Sequence, residues 1–333
     1  MTKEIAPGVY PGIPNASYHG GPGISKSGLD LVARSPAHYR AAQDAERREP
    51  TPDQRIGTLA HALILEPESF DEHYAEPFVA PPKTLETVDQ IKARLAELGE
   101  KVSGTKAALS DRLRTADPSA VLLDDARAAH AEAVGDREVV SADELARARA
   151  MREAVMSHPK AAALLEPGSG VAELSCYWRD QDTDALCRCR PDWWRHDGVI
   201  VDLKTARDAS PAGFPKSLND WRYHVQAAFY LDGIAAAREQ SNAPVYMPEP
   251  RAFVFVAVEK TPPYAVGVYY IDAEAVAIGR REYRADLDRY AECQGANEWP
   301  AYSDRIEPVS LPEWRLRREE IESETDTQGV FVA

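Results

Sequence analysis

Three side chains near the middle of the chain have the types and spacing of a hydrolytic centre: Asp192 after Pro191, then nine residues, then Asp202 and Lys204 around Leu203. In an extended strand, successive side chains alternate between faces. Ile200, Asp202 and Lys204 therefore share one face, and Val199, Val201 and Leu203 take the other. Arg188, Arg190 and Asp192 share a face of the preceding strand, so a hairpin brings Asp192, Asp202 and Lys204 together. The surroundings, Gly198–Ala206 (GVIVDLKTA), are too apolar for a solvent-facing strand, and partly buried charges must be paired or used. Two carboxylates beside an ammonium suit Mg²⁺, which takes hard oxygen ligands, with Mn²⁺ as a substitute. Such a cation acidifies a bound water, and the lysine can aim that water at a phosphorus. Glu173, one strand upstream, is a third carboxylate candidate. Gln226 and Tyr230, four apart on one face of the following helix, and His61 far upstream complete the set.

The elements that must position these residues can be read from pattern and punctuation. Residues 1–23, rich in Pro and Gly, read as an irregular leader. A helix is expected over Ser25–Tyr39, ended or bent at Ser35-Pro36, and a second over Asp53–Leu65. Ser141 and Glu144 form a capping box for a helix to His158. The period then shifts from 3.6 to 2, predicting strands over Val171–Trp178, Leu186–Trp194 and Gly198–Thr205. A helix over Asp220–Arg238, strands over Arg251–Glu259 and Tyr264–Ile271, and a helix over Ala273–Glu292 follow. The segment between Pro81-Pro82 and Asp117-Pro118 lacks aromatics and reads as two short helices around Gly99–Gly104. It carries seven basic and five acidic residues in a chain with 39 basic and 54 acidic side chains and a net charge of −15.

That net charge argues against a surface coated in positive potential, but a groove with local positive charge stays compatible with it. No apolar run reaches the ~18 residues of a membrane span, and no secretory signal opens the chain. Four cysteines in 333 residues do not make a disulfide scaffold, so a reducing cytoplasm is the expected compartment. Cys176, Cys187 and Cys189 lie within the strands and only Cys293 lies late. Cysteines so placed are expected to be buried free thiols.

Glu173, Pro191-Asp192, Asp202-Leu203-Lys204 and Gln226-Ala227-Ala228-Phe229-Tyr230 resemble the PD-(D/E)XK nuclease superfamily, in its RecB-like branch with an upstream histidine. Ser25–Tyr39, Gly57–Phe70 and Arg190–Thr205 are similar to the exonuclease VIII (RecE-type) enzymes of phage recombination systems. The resemblance implies an α/β fold with a mixed central sheet flanked by helices. It implies a metal-dependent, ATP-independent exonuclease that degrades the 5′ strand at double-stranded DNA ends. It also implies a homo-oligomeric ring and a RecT-type single-strand annealing protein as partner. Carried over by position, His61, Glu173, Asp192, Asp202 and the Leu203 carbonyl would hold the metal. Lys204 would be the catalytic lysine, with Gln226 and Tyr230 as supports. Iron–sulfur members of the RecB-like branch use one cysteine far upstream and three close together near the end, a pattern that Cys176, Cys187, Cys189 and Cys293 do not match, so no iron–sulfur cluster is expected. Alternatives are a RecB-like endonuclease or single-strand nuclease in DNA repair, and a non-catalytic DNA-end-binding protein.

The insert resembles a second family. Val88–Leu95, Leu98-Gly99, Ser103–Lys106, Leu109 and Arg112-Leu113 are similar to the SAP motif, a helix–loop–helix module that binds DNA. Lys92, Lys101 and Lys106 there, and Arg188 and Arg190 beside Asp192, are the expected DNA contacts. The alternative for the insert is a helical hairpin that only docks on the core or on a neighbouring subunit. The organisation read from the sequence is an N-terminal helical part over 1–82 and a SAP-like insertion over 83–117. The nuclease core follows over 118–316, with an acidic mobile tail over 317–333.

Overall fold

Hydroxyl caps and prolines set the helix boundaries of the N-terminal half. This computed structural model describes residues 5–45, 49–313 and 315–317, so nearly all of the 317–333 tail lies outside the described residues. The leader is not irregular throughout: it forms β1 (Gly8–Tyr10) and α1 (Asn15–Gly20). Helices α2 (Lys26–Arg34) and α3 (Pro36–Asp44) meet at Ser35, whose hydroxyl accepts from His38 N and caps α3. Thr51 and Gln54 form a capping box for α4 (Pro52–Leu65), followed by α5 (Phe70–His73) and the short β2 (Tyr74–Ala75).

The insert folds as two helices, α6 (Val88–Glu97) and α7 (Lys106–Ala116), capped by Thr87 and Thr105. Ile91, Leu95, Leu109 and Leu113 bury a small core of their own, completed by Leu122 from beyond the second helix. Then come α8 (Leu123–Val134), β3 (Glu138–Val139), α9 (Ala142–Ser157) with its Ser141–Glu144 capping box, and α10 (Pro159–Leu164). Residues 119–137, unassigned by pattern, thus carry a helix.

Five elements follow in quick succession: β4 (Gly170–Ala172), β5 (Ser175–Arg179), β6 (Leu186–Cys189), β7 (Trp193–Arg195) and β8 (Val199–Ala206). The chain ends its folded part with α11 (Phe214–Asp220), α12 (Tyr223–Glu239), β9 (Ala252–Glu259), β10 (Val266–Tyr270) and α13 (Ala273–Ala296). The main sheet runs β10-β9-β8-β7-β4 and is mixed, with β8 and β9 parallel and the other neighbours antiparallel. A smaller antiparallel sheet runs β1-β5-β6. One face of the main sheet buries Ile200, Phe253 and Phe255 against Phe229 of α12 and Leu287 of α13. The other buries Val201, Leu203 and Val256 against Ile56 and Ala60 of α4 and Met151 of α9. Among the described residues no helix is long and apolar enough to cross a membrane.

Two of the expected strands are broken, and at matching places. Val171–Trp178 divides into β4 and β5 at Glu173-Leu174, and Leu186–Trp194 into β6 and β7 at Arg190–Asp192. The pairing register is the same on both sides of the break, Ala172 opposite Trp193 and Cys176 opposite Cys189, so Glu173 faces Asp192. Pro191 has no N–H to donate to the ladder. Glu173 adopts the left-handed region (φ 52°), unusual for a residue with a Cβ, and its N–H still reaches Asp192 O at 3.3 Å. The hairpin therefore leaves the main sheet at the two residues that carry carboxylates.

Candidate active site

The split in the sheet makes the site. Strand β7 pairs with β8 only as far as Trp193 opposite Val201, so the next stretch of β8, from Asp202 on, loses its neighbour on that side. The Asp192 carboxylate fills the vacated place: its Oδ2 accepts from Leu203 N at 2.7 Å. Alternation along β8 is as predicted, with Val201 and Leu203 packed toward α4 and Asp202 and Lys204 meeting α12.

Asp202 is 1% exposed. Gln226 Nε2 donates to its Oδ1 at 2.5 Å, and the Gln226 Oε1 accepts from Lys204 Nζ at 2.8 Å. One amide thus ties the carboxylate and the ammonium together. Lys204 Nζ also lies 2.7 Å from Asp202 Oδ2. Asp202 Oδ2 is buried and has no partner beyond that ion contact. His61, one turn from the end of α4, places Nδ1 3.7 Å from Asp192 Oδ2. Glu173 Oε2 is 3.8 Å from Arg190 Nη1. Tyr230 lines a cavity of about 570 Å³ together with His61, Glu173, Asp192 and Thr205. The structure thus brings His61, Glu173, Asp192, Asp202, Lys204, Gln226 and Tyr230 into one neighbourhood.

The electrostatics of the cluster follow from crowding carboxylates out of water. Burial, then the charges of Asp202 and Glu173, push the Asp192 carboxyl well above the usual range. Burial also pushes Glu173 up to about 7, against the pull of Arg190 and with Glu66 and Asp202 adding to the rise. Lys204 remains a cation: burial opposes its charge, but Asp202 and Asp192 hold its pKa above the ordinary value. Burial brings His61 down to about 4, with Asp202 opposing that fall, so the imidazole is neutral and free to act as a ligand near pH 7.

A divalent cation fits this donor set. The oxygens of Asp192, Asp202, Glu173 and Leu203 are hard ligands, and a neutral imidazole stands beside them. The disfavoured negative charge on Asp192 and Glu173, beside an Asp202 Oδ2 whose close partner is the Lys204 ammonium, is what a cation would relieve. Among the described residues, no three such side chains already converge as a closed cage. Asp192 and Asp202 instead turn oxygens toward Leu203 N–H and Gln226.

Two expected DNA contacts need correction. Arg188 and Arg190 are both 8% exposed and serve the fold. Arg188 donates to the carbonyls of Tyr18, Gly21 and His19, and Arg190 donates to Ser175 Oγ and Ile13 O. Strand alternation gave their shared face, but not that α1 and the residues flanking it would cover it. In the insert, Lys106 is tied to Asp124 at 2.6 Å, Arg94 to Asp117 at 2.7 Å and Arg114 to Asp125 at 2.6 Å. Lys92 is half-buried and Lys101 exposed, neither in an ion pair among the described residues.

Residues outside the expected set also shape the site. Tyr18, Asn15 and His19 of α1, with Lys260 after β9, line the same cavity. Gly57 lets α4 approach β8: a Cβ there would sit 3.2 Å from Thr205 Oγ1. The Tyr223 ring lies 4.4 Å from Lys204 Nζ. The four cysteines are buried, three of them in the main core.

Known proteins give matches of two kinds. A crystal structure of a candidate exonuclease from Eubacterium rectale superposes with a TM-score of 0.50 at 12% identity, covering 90% of this chain and 94% of that one. At that identity the likeness concerns the fold. The crystal structure of SSO0001 is more distant, with a TM-score of 0.27 at 11% identity over 72% of this chain and 86% of that chain. No curated protein sequence matches the chain. Residues 25–312 match the model of the PDDEXK-like domain of unknown function (DUF3799), and the chain, with its mixed sheet and its Asp192–Asp202–Lys204 centre, belongs to that family.

Proposed function

We propose that the protein is a divalent-cation-dependent nuclease that resects double-stranded DNA from its ends, removing the 5′ strand. The observation that carries this reading is the Asp202–Gln226–Lys204 arrangement facing Asp192 and Glu173 across the split in the sheet. Partly buried charge of this density is costly unless a ligand uses it. Asp192, Asp202, Glu173, the Leu203 carbonyl and His61 would hold the cation. When bound, it supplies a nucleophilic water at neutral pH and charge stabilisation at the phosphate. The chain's own groups do the rest. Lys204 places a positive charge where the attacking water and phosphate meet, which favours negative charge developing there. Gln226 fixes the lysine against Asp202, and Tyr230 walls the cavity. The two adjoining cavities share Asn15, Thr58, His61, Glu173 and Arg190, giving a strand a continuous surface past the carboxylates. In the insert, Lys92 and Lys101, like Lys83 at its start, are in no ion pair among the described residues and are available for phosphates.

The test compares linear and closed-circular duplexes, labelled at the 5′ or 3′ end, with Mg²⁺. The reading expects release of 5′ label as short products from linear DNA and an intact circle. Cutting of the circle would establish an endonuclease instead. Binding without hydrolysis would establish an end-binding protein.

A further inference from the structure

Tyr223 opens α12 three residues before Gln226 and seven before Tyr230, so all three lie on one helix face. Its ring centroid is 4.4 Å from Lys204 Nζ, within the ~6 Å over which a ring face attracts a cation. The ring is held in place by Phe214, stacked at 6.2 Å, and Phe255 at 5.8 Å. The backbone just before it is fixed with unusual thoroughness. Arg222 adopts the left-handed region (φ 52°), which is costly for a residue with a Cβ. Its guanidinium reaches Asp30 of α2 at 3.1 Å, and Glu282 and Asp286 of α13 at 3.2 and 2.6 Å. Lys26 of α2 donates to the Trp221 carbonyl at 2.6 Å. Two neighbouring helices thus hold a strained turn whose effect is to aim Tyr223 at Lys204.

We propose that Tyr223 is a positioning residue: its ring face, anchored through the Arg222 ion-pair cluster, holds the Lys204 ammonium against Asp202 and Gln226 in the orientation hydrolysis needs. The proposal deepens the nuclease reading and rests on it. A ring suits the task better than another carboxylate. Asp202, Asp192 and Glu173 already crowd the site with negative charge, and a fourth anion would compete with the phosphate for the lysine. A ring attracts the ammonium while leaving its net charge for the substrate.

Isosteric replacements separate this role from packing. Tyr223 is replaced by phenylalanine and by phenylalanines of increasing fluorination, which keep the shape and weaken the negative ring face. For each protein kcat and KM on linear duplex with Mg²⁺ and the urea unfolding midpoint are measured. Tyr223→Phe should stay within about twofold of wild type, and kcat should fall stepwise to about tenfold below it, with KM and the midpoint constant. A flat kcat across the series, or a fall that tracks the midpoint, would overturn the proposal. A second readout does not depend on activity: proton NMR of the Lys204 ε-methylene should show an upfield ring-current shift that Tyr223→Phe keeps and Tyr223→Leu loses. An ordinary lysine shift in wild type would also overturn it. A wild type that shows the ring-current shift but hydrolyses no DNA would sink the nuclease reading, and with it the role in hydrolysis, while leaving the contact itself established.

Discussion

Removing the charge of Lys204 while keeping its bulk, as Lys204→Met, should destabilise the cation-free protein more than Asp202→Asn does. Asp202 is 1% exposed and its ion partner is Lys204, at 2.7 Å. Taking one member from a buried ion pair leaves the other charge uncompensated, at a cost of about 3–5 kcal/mol. The Lys204 side chain is 17% exposed, so some solvent screening applies and the lower end, about 3 kcal/mol, is the appropriate figure. Asp202→Asn also takes one member from the pair, but the charge it leaves is the 17% exposed Lys204, which keeps Gln226 Oε1 and the nearby Asp192. The amide oxygen still serves Gln226 Nε2, so the cost of this change should be the smaller, about 1 kcal/mol. The double variant Asp202→Asn/Lys204→Met should then be more stable than Lys204→Met alone by about 2 kcal/mol, a coupling that independent sites do not show. Urea unfolding in a chelator near pH 8 measures all four corners of the cycle. If Lys204→Met unfolds at the same urea concentration as wild type, or the two changes simply add, the Asp202–Lys204 pair does not organise the site as argued.

Three further outcomes follow from the same geometry. Cation binding should stabilise the protein more at about pH 8 than at about pH 5. With Glu173 raised to about 7, the folded state holds a proton the unfolded state has lost, so cation-free stability falls as pH rises from 4.5 through that value. A cation replaces the proton, and thermal unfolding with and without Mg²⁺ should show a gap that widens with pH; a constant gap would contradict it. Mg²⁺ or Mn²⁺ should support hydrolysis, and Ca²⁺, with its larger and looser coordination, should inhibit it, whereas robust cleavage in a chelator would refute the cation's role. Lys92→Gln/Lys101→Gln should lower the slope of log affinity against log salt by up to about 2 while leaving kcat unchanged; an unchanged slope would make the insert a structural hairpin.

The helices and strands around the site were legible because their signals are local. Ser35-Pro36 and Ser141–Glu144 cap or break helices by contacts within three residues. The shared face of Asp202 and Lys204 follows from strand alternation, and that of Gln226 and Tyr230 from the 3.6-residue helical repeat. What stayed hidden depends on long-range approach. The hairpin break at Glu173 and Asp192 needs the main sheet and β1 to compete for its two halves, which Pro191 hints at but does not decide. Arg188 and Arg190 looked available because nothing in their own strand announces the carbonyls of Ile13 and Tyr18. The insert's basic excess looked free because Asp124 and Asp125, which neutralise Lys106 and Arg114, lie beyond its last proline. Tyr223 carries no motif at all; only the turn of Arg222 brings its ring to Lys204.

The most direct measurement is the initial rate of hydrolysis of a linear duplex in Mg²⁺ by wild type, Asp202→Asn and Lys204→Met, each shown to be folded at the assay temperature. If Asp202 helps hold the cation and Lys204 sets charge at the attacked phosphate, each variant should lose about a thousandfold or more, roughly 4 kcal/mol in the barrier. Hydrolysis by either variant within about tenfold of wild type would place the chemistry elsewhere in the molecule.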